Sequence, residues 1–196
     1  MDFTNLNKAC PKNPFPILRI DQLVNATFGL PRINFFDAFY GYHQIPLALI
    51  DQEKTAFRTP LGNYHYRVMP FGLKNARSTY QRMVTRMFEA QLGRNMKAYI
   101  DNIVIKSKVA FEHIQDLEDV FSVLRKHQLQ LNTSKRSFGV SSGKFLGFMI
   151  THYSIEINPD QIKAINDLHP PRNPKEVQRL IGMTEALSRF ILRSAN

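Results

Sequence analysis

The sequence predicts an α+β domain, a mainly antiparallel sheet backed by helices. Three observations carry that expectation. Apolar runs of strand length, at Ile33–Phe39 and at 98–107, alternate with segments whose apolar residues recur at helical spacing. The run at 98–107 is broken once, by Asp101-Asn102, which predicts a tight hairpin with that pair at its tip. The order of signals is strand, helix, hairpin, helix, strands, then helices, which favours antiparallel pairing over repeated βαβ units.

The elements follow in chain order. Residues 1–20 read as loop, with Pro11, Pro14 and Pro16 keeping the chain extended. A short helix is expected over 21–28, begun at Asp21 and ended near Gly29. Residues 33–38 form a buried strand, and Gly41 to Pro46 breaks and resumes an extended path. Thr55–Thr59 and Tyr64–Val68 suit a hairpin around Pro60-Leu61-Gly62-Asn63. After the turn Pro70-Phe71-Gly72, a helix over 75–90 places Ala76, Tyr80, Met83, Val84, Met87 and Phe88 at helical spacing, with Arg77, Arg82 and Arg86 between them. A second helix, 110–127, carries Phe111, Ile114, Leu117, Phe121 and Leu124 on one face and Glu112, Asp116 and Asp119 on a solvated face. Gly139–Thr151 reads as an extended pair turning at Ser141-Ser142-Gly143. Asn158-Pro159 and Asn173-Pro174, each followed by Gln or Glu three residues after the Asn, start helices over 159–168 and 174–192. A boundary is expected near 157.

Composition narrows the function. The 196 residues carry 43% apolar and 21% charged side chains, ordinary for a globular protein, with a net charge of +10. Residues 59–108 hold nine Lys and Arg against two Asp and Glu, so the excess surrounds the hairpin and the helix before it. A polyanion is the expected partner, nucleic acid before an anionic membrane. The single cysteine, Cys10, excludes an internal disulfide and a zinc site built on Cys pairs, and favours a reducing compartment. No signal peptide and no membrane span are expected, so the chain is placed inside the cell, in the cytoplasm or the nucleus. Asp37 lies within an apolar run, where a carboxylate is costly to bury alone. Asp37 and Asp101, brought together from separate strands, would suit a hard divalent cation such as magnesium.

The segments FFDAFYGYHQI (35–45), YRVMPFGLKNARSTYQRM (66–83), YIDNIVIKS (99–107), LNTSKRSFGV (131–140) and FLGF (145–148) stand in the order found in reverse transcriptases. The chain most resembles the polymerase of gypsy-type LTR retrotransposons of the kind abundant in plants, and DFTNLNKACPK (2–12) and QRLIGMTEALSRFI (178–191) extend the resemblance over nearly all of it. The resemblance implies a right-hand polymerase, with partial fingers and palm over 1–157, N-terminally truncated, and the start of a helical thumb over 158–196, C-terminally truncated. It implies RNA-directed DNA synthesis, a nucleotidyl transfer from dNTP to a primer on an RNA or DNA template, with two magnesium ions, or manganese, in the site. The family's linked RNase H and integrase segments are not seen in the sequence.

Carried over by position, Asp37 and Asp101 would be the metal carboxylates, with Asn102 where the family has a second aspartate. Lys135 would lie near the leaving pyrophosphate as a proton donor. Tyr42 would exclude a ribose 2′-hydroxyl, and Phe71-Gly72 would lie against the incoming nucleotide. Phe145, Leu146 and Gly147 would press on the primer; Tyr99, Arg77 and Arg82 would contact primer or template, Tyr99 chiefly through packing. Arg77 and Arg136 also depart from the family pattern. Asn102 removes one negative charge from a site for hard cations, so impaired activity is expected. The alternatives are a non-catalytic nucleic-acid-binding remnant and, last, a hydrolytic phosphotransferase using the same aspartates.

Overall fold

The computed structural model describes all residues except 17, 28, 30, 31, 108, 110, 186, 188, 189 and 191–196. Parts of three expected helices, at 28, 110 and within 186–192, therefore lie outside the described residues. The elements are α1 (Thr4–Ala9), α2 (Ile20–Asn25), β1 (Arg32–Asp37), α3 (Leu49–Gln52), β2 (Phe57–Thr59), β3 (Gly62–Tyr64), α4 (Ala76–Met87), β4 (Met96–Tyr99), β5 (Asn102–Ser107), α5 (His113–Lys126), β6 (Ser137–Val140), β7 (Ser142–Phe145), β8 (Phe148–Thr151), β9 (Ile155–Ile157), α6 (Pro159–Asn166) and α7 (Pro174–Glu185).

A four-stranded sheet of order β4-β5-β1-β6 forms the centre, with every neighbour antiparallel. Successive residues of a strand face opposite sides, so β1 feeds two cores. Phe36 joins Tyr80 and Val84 of α4, Phe88 at its C-terminal end, and Val120 and Leu124 of α5 on one side. Ile33 and Phe35 join Leu23 and Val24 of α2 and Phe145, Phe148 and Ile150 of a second, three-stranded sheet β7-β8-β9 on the other. That second sheet approaches so closely that a Cβ on Gly143 would stand 2.3 Å from the Phe35 ring. The mixed, antiparallel architecture is the one expected.

Several local expectations are corrected. The first twenty residues are not all loop: α1 forms there, with the Asp2 carboxylate accepting from the Thr4 backbone N–H at 2.8 Å. The break expected at Gly41 is a 3-10 turn over Gly41–Gln44, after which Ile45 is extended as read. The tip of the β4–β5 hairpin is Ile100-Asp101, because Tyr99 pairs with Asn102. A slip of one residue would turn every side chain of β5 to the opposite face. The strands after 136 divide differently as well. β6 joins β1, whereas β7 and β8 turn at Leu146-Gly147, both at positive φ. On α5 the buried face is His113, Val120 and Leu124, while Phe111 and Ile114 are exposed. Asp116 is no solvated residue: it accepts from Ser107 Oγ at 2.5 Å and Asn95 Nδ2 at 2.6 Å. Leu117, Phe121 and Leu124 of the expected face do pack on the core, and His113 and Asp116 join them through hydrogen bonds to polar groups inside the sheet. The two Asn-Pro helix starts form as read, with Asn158 and Asn173 accepting from the N–H groups of Asp160 and Glu176.

Candidate active site

Asp37 ends β1 directly opposite Asn102, the first residue of β5, and Asp101 occupies the turn one residue earlier. The Ala38 N–H donates to the Asp101 carbonyl at 2.8 Å, which locks the strand end to the turn. Two carboxylates are thus held on rigid backbone at one sheet end. Burial, then the Asp101 charge, pushes the Asp37 carboxyl above the usual range, and Lys135 opposes the rise. The Lys135 ammonium stands 3.8 Å from Asp37 Oδ2. The Asn102 amide donates to Asp101 Oδ1 at 3.1 Å.

The turn is held from behind by Gln81 of α4, only 1% exposed. Its Oε1 accepts from the Ile100 N–H at 2.7 Å, and its Nε2 donates to the Ala98 carbonyl at 3.3 Å. Ile100 sits at φ +54, left-handed backbone that a β-branched residue rarely adopts. That N–H has no place in the β4–β5 ladder, and Gln81 supplies its acceptor. A polar residue beside the apolar stripe of α4 was the sequence signal for this role.

Above the carboxylates lies a cleft of about 880 Å³. Asp37, Asp101, Tyr42, Phe71, Gly72, Arg77 and Lys135 all line it. Gly41 makes the turn beneath Tyr42, where a Cβ would meet the Tyr80 ring at 3.0 Å. Tyr42 packs against Phe71 and Tyr80, with ring centroids 5.2 and 5.7 Å apart. Burial and Asp101 raise the Tyr42 hydroxyl pKa, while Arg77, hydrogen-bonded to it, pulls the other way. The Phe71-Gly72 turn is bracketed by Asn7 of α1, which donates to the Gly72 carbonyl at 2.8 Å and accepts from the Lys74 N–H at 2.7 Å. Gln44 likewise ties the loop after Asp37 to Gln130, accepting from its N–H at 2.7 Å. Neither contact was legible beforehand, since each joins segments over 60 residues apart.

The remaining expected residues lie off the cleft wall. Asn102 of β5 pairs with Asp37 on the neighbouring β1, and Tyr99 packs against both cores. Arg82 is exposed on α4. Phe145 is buried beneath β1, and Leu146 and Gly147 form the β7–β8 turn.

The donor set suits a hard cation in one respect: two carboxylates, one with its pKa raised by the other, are relieved by a positive charge. It is sparse in another, because no group of three or more His, Cys, Asp or Glu stands together among the described residues. Asp37 and Asp101 would hold the ion, with backbone carbonyls and water completing its oxygen shell.

An antiparallel sheet whose central hairpin sets one aspartate against another, backed by two helices and opening on a basic cleft, defines a polymerase palm. Residues 1–150 match the family Reverse transcriptase (RNA-dependent DNA polymerase), and the chain belongs to that family. It is 34% identical over 191 residues to the Retrovirus-related Pol polyprotein from transposon opus of Drosophila melanogaster, covering 97% of this chain and 19% of that one. It is 30% identical over 195 residues to the Transposon Tf2-7 polyprotein of Schizosaccharomyces pombe, covering 100% of this chain and 15% of that one. The chain thus spans less than a fifth of these relatives. Among solved structures, a foamy viral protease-reverse transcriptase in complex with double-stranded DNA superposes with a TM-score of 0.85 at 22% identity, covering 93% of this chain and 32% of that one. The same viral protein with an RNA/DNA hybrid gives 0.83 at 21% identity, covering 93% and 25%. No helix among the described residues is long and apolar enough to cross a membrane.

Proposed function

We propose that this chain is the polymerase portion of a retrotransposon Pol protein and adds deoxynucleotides to a primer on an RNA or DNA template. The observation that carries this reading is the pairing of Asp37 with Asp101 at the floor of a cleft bounded by Arg77 and Lys135. Asp37 and Asp101 would hold magnesium, which neutralises phosphoryl oxygens and lowers the pKa of the attacking hydroxyl. Lys135 and Arg77 would balance phosphate charge in the same cleft, and Lys135, 3.8 Å from Asp37 Oδ2, would lie near the leaving pyrophosphate as a proton donor. Tyr42 closes the wall where a sugar would rest, so a 2′-hydroxyl meets its ring. The Leu146-Gly147 turn and exposed Arg82 would follow the primer and template backbones. Residues 1–157 form the fingers and palm in this reading, and α6 and α7 begin a separate helical unit. The setting is intracellular, where dNTPs and magnesium are present.

Asn102 weakens the site in this reading. It contributes no charge, and its amide occupies one Asp101 oxygen. The same observation favours the second reading, a nucleic-acid-binding chain with little turnover. Primer extension on an RNA template with magnesium separates them, comparing this chain with Asn102→Asp. Extension strongly enhanced in Asn102→Asp supports the polymerase reading. Equal extension overturns the role given to Asn102. Primer–template binding without extension by either protein leaves the binding reading in its place.

A further inference from the structure

A buried polar chain crosses the central sheet on the side that packs α5. Asn34 of β1, His113 of α5, Ser107 of β5 and Asn95 before β4 are each no more than 5% exposed. Asn34 Nδ2 lies 2.7 Å from His113 Nε2, and His113 Nδ1 lies 2.8 Å from Ser107 Oγ. Ser107 and Asn95 then meet the two oxygens of Asp116. None of these residues lines the candidate active site.

The far end of the chain explains its presence. β6 pairs with β1 at Ile33↔Val140 and at Phe35↔Ser137, so three steps on β6 face two on β1. This bulge leaves the Gly139 N–H, at φ +58, without a ladder partner. Asn34 Oδ1 accepts it at 2.6 Å. Hydrogen-bond polarity then fixes every proton. An N–H can only donate, so the Asn34 atom facing Gly139 is the oxygen and the atom facing His113 is the NH₂. His113 Nε2 must accept, so the ring is neutral with its proton on Nδ1. That proton goes to Ser107 Oγ, whose own hydrogen goes to Asp116.

We propose that His113, held as the neutral Nδ1–H imidazole, is a positioning residue that locks the Asn34 amide, fixes the bulged register of β6 and so holds the Thr133–Lys135 turn beside Asp37. A proton on Nε2 would face the Asn34 NH₂ donor to donor. Turning the amide to relieve this would strip Gly139 of its acceptor. The segment is pinned at its other end by the Asn132 N–H, which donates to the Asp37 carbonyl at 2.8 Å. The charged groups acting on the ring are Asp116 on its own helix and Arg32 on β1; Lys106 of β5 points to the other side of the sheet, where its ammonium donates to the Ala26 carbonyl. Residues 137–140 of β6 add none. Burial, aided by Arg32 and opposed by Asp116, lowers the His113 pKa, in keeping with a neutral ring.

The strap stands without the polymerase reading; only the importance of Lys135 rests on it. The test is therefore amide hydrogen exchange on the full chain at neutral pH. His113→Gln keeps an acceptor where Nε2 stood, and His113→Asn keeps only a group where Nδ1 stood. The expected result is a loss of about tenfold in the protection of Gly139 and Asn132 in His113→Asn, one hydrogen bond's worth, with His113→Gln close to the unaltered chain. Full protection in His113→Asn, or equal loss in both variants, overturns the strap. Loss at Gly139 alone overturns its link to Lys135. Should His113→Asn fail to fold, the nitrogen shifts of His113 in the unaltered chain decide: a bare Nε2 supports the assignment, and a protonated Nε2 overturns it. Primer extension by the unaltered chain is a separate readout, so failure of the polymerase reading and failure of the strap are told apart.

Discussion

Replacing Gln81 with Leu keeps the side chain's approximate volume inside α4 and removes both bonds to the β4–β5 turn. The Ile100 N–H, with Ile100 8% exposed, is then buried without an acceptor. An orphaned buried donor costs about 1–3 kcal/mol. The Ala98 carbonyl, bonded at 3.3 Å, adds a smaller loss. Ile100 at φ +54 is also under backbone strain of about 1–2 kcal/mol, which the Gln81 bond helps to hold. Relaxation of that strain recovers part of the loss and moves Asp101. The expected net is about 1–3 kcal/mol lost, or roughly 2–12 °C in Tm for a domain of this size. Urea and thermal unfolding with and without magnesium are the assay, and the magnesium-induced rise in Tm should shrink along with stability. Stability within about 0.5 kcal/mol of the unaltered chain, the range of neutral surface changes, would refute the reasoning, because it would mean that the turn holds its conformation without Gln81.

Two further outcomes follow from the same geometry. Asp37 has its folded pKa raised above 3.8 by burial and by Asp101, so its contribution to stability is complete below that value and is lost as pH rises through the folded pKa. Asp37→Asn should therefore make the metal-free protein more stable at neutral pH and flatten that part of the pH–stability curve, while abolishing stabilisation by magnesium; thermal unfolding across pH, with and without the ion, checks both. Gly143→Ala should cost about 1–3 kcal/mol by overpacking, since its Cβ would fall 2.3 Å from the buried Phe35 ring; a denaturation curve that does not shift would show that the second sheet yields instead.

The sequence by itself determined the elements that announce themselves locally. Asn158-Pro159 and Asn173-Pro174 start helices because the cap and the proline act within one turn. β1 and β5 are legible because they are apolar on both faces, and a polar break between two such runs must be a turn. Asp101 stood out as part of that polar break, and Asp37 as a charge inside an apolar run where burial disfavours it.

Tertiary structure decided whatever depends on a partner distant in the chain. The turn moved one residue to Ile100-Asp101 because Gln81, nineteen positions earlier, accepts the Ile100 N–H. Leu117, Phe121 and Leu124 of α5 pack inward as apolar spacing indicated, but His113 and Asp116 also turn inward because Asn34, Ser107 and Asn95 partner them, and Phe111 and Ile114 stay exposed. α1 and its hold on Gly72 depend on Asn7 meeting a loop 65 residues away. Periodicity records which face is apolar, but a buried amide, ring or carboxylate is placed by the hydrogen bonds it must make, and those partners exist only once the chain has folded.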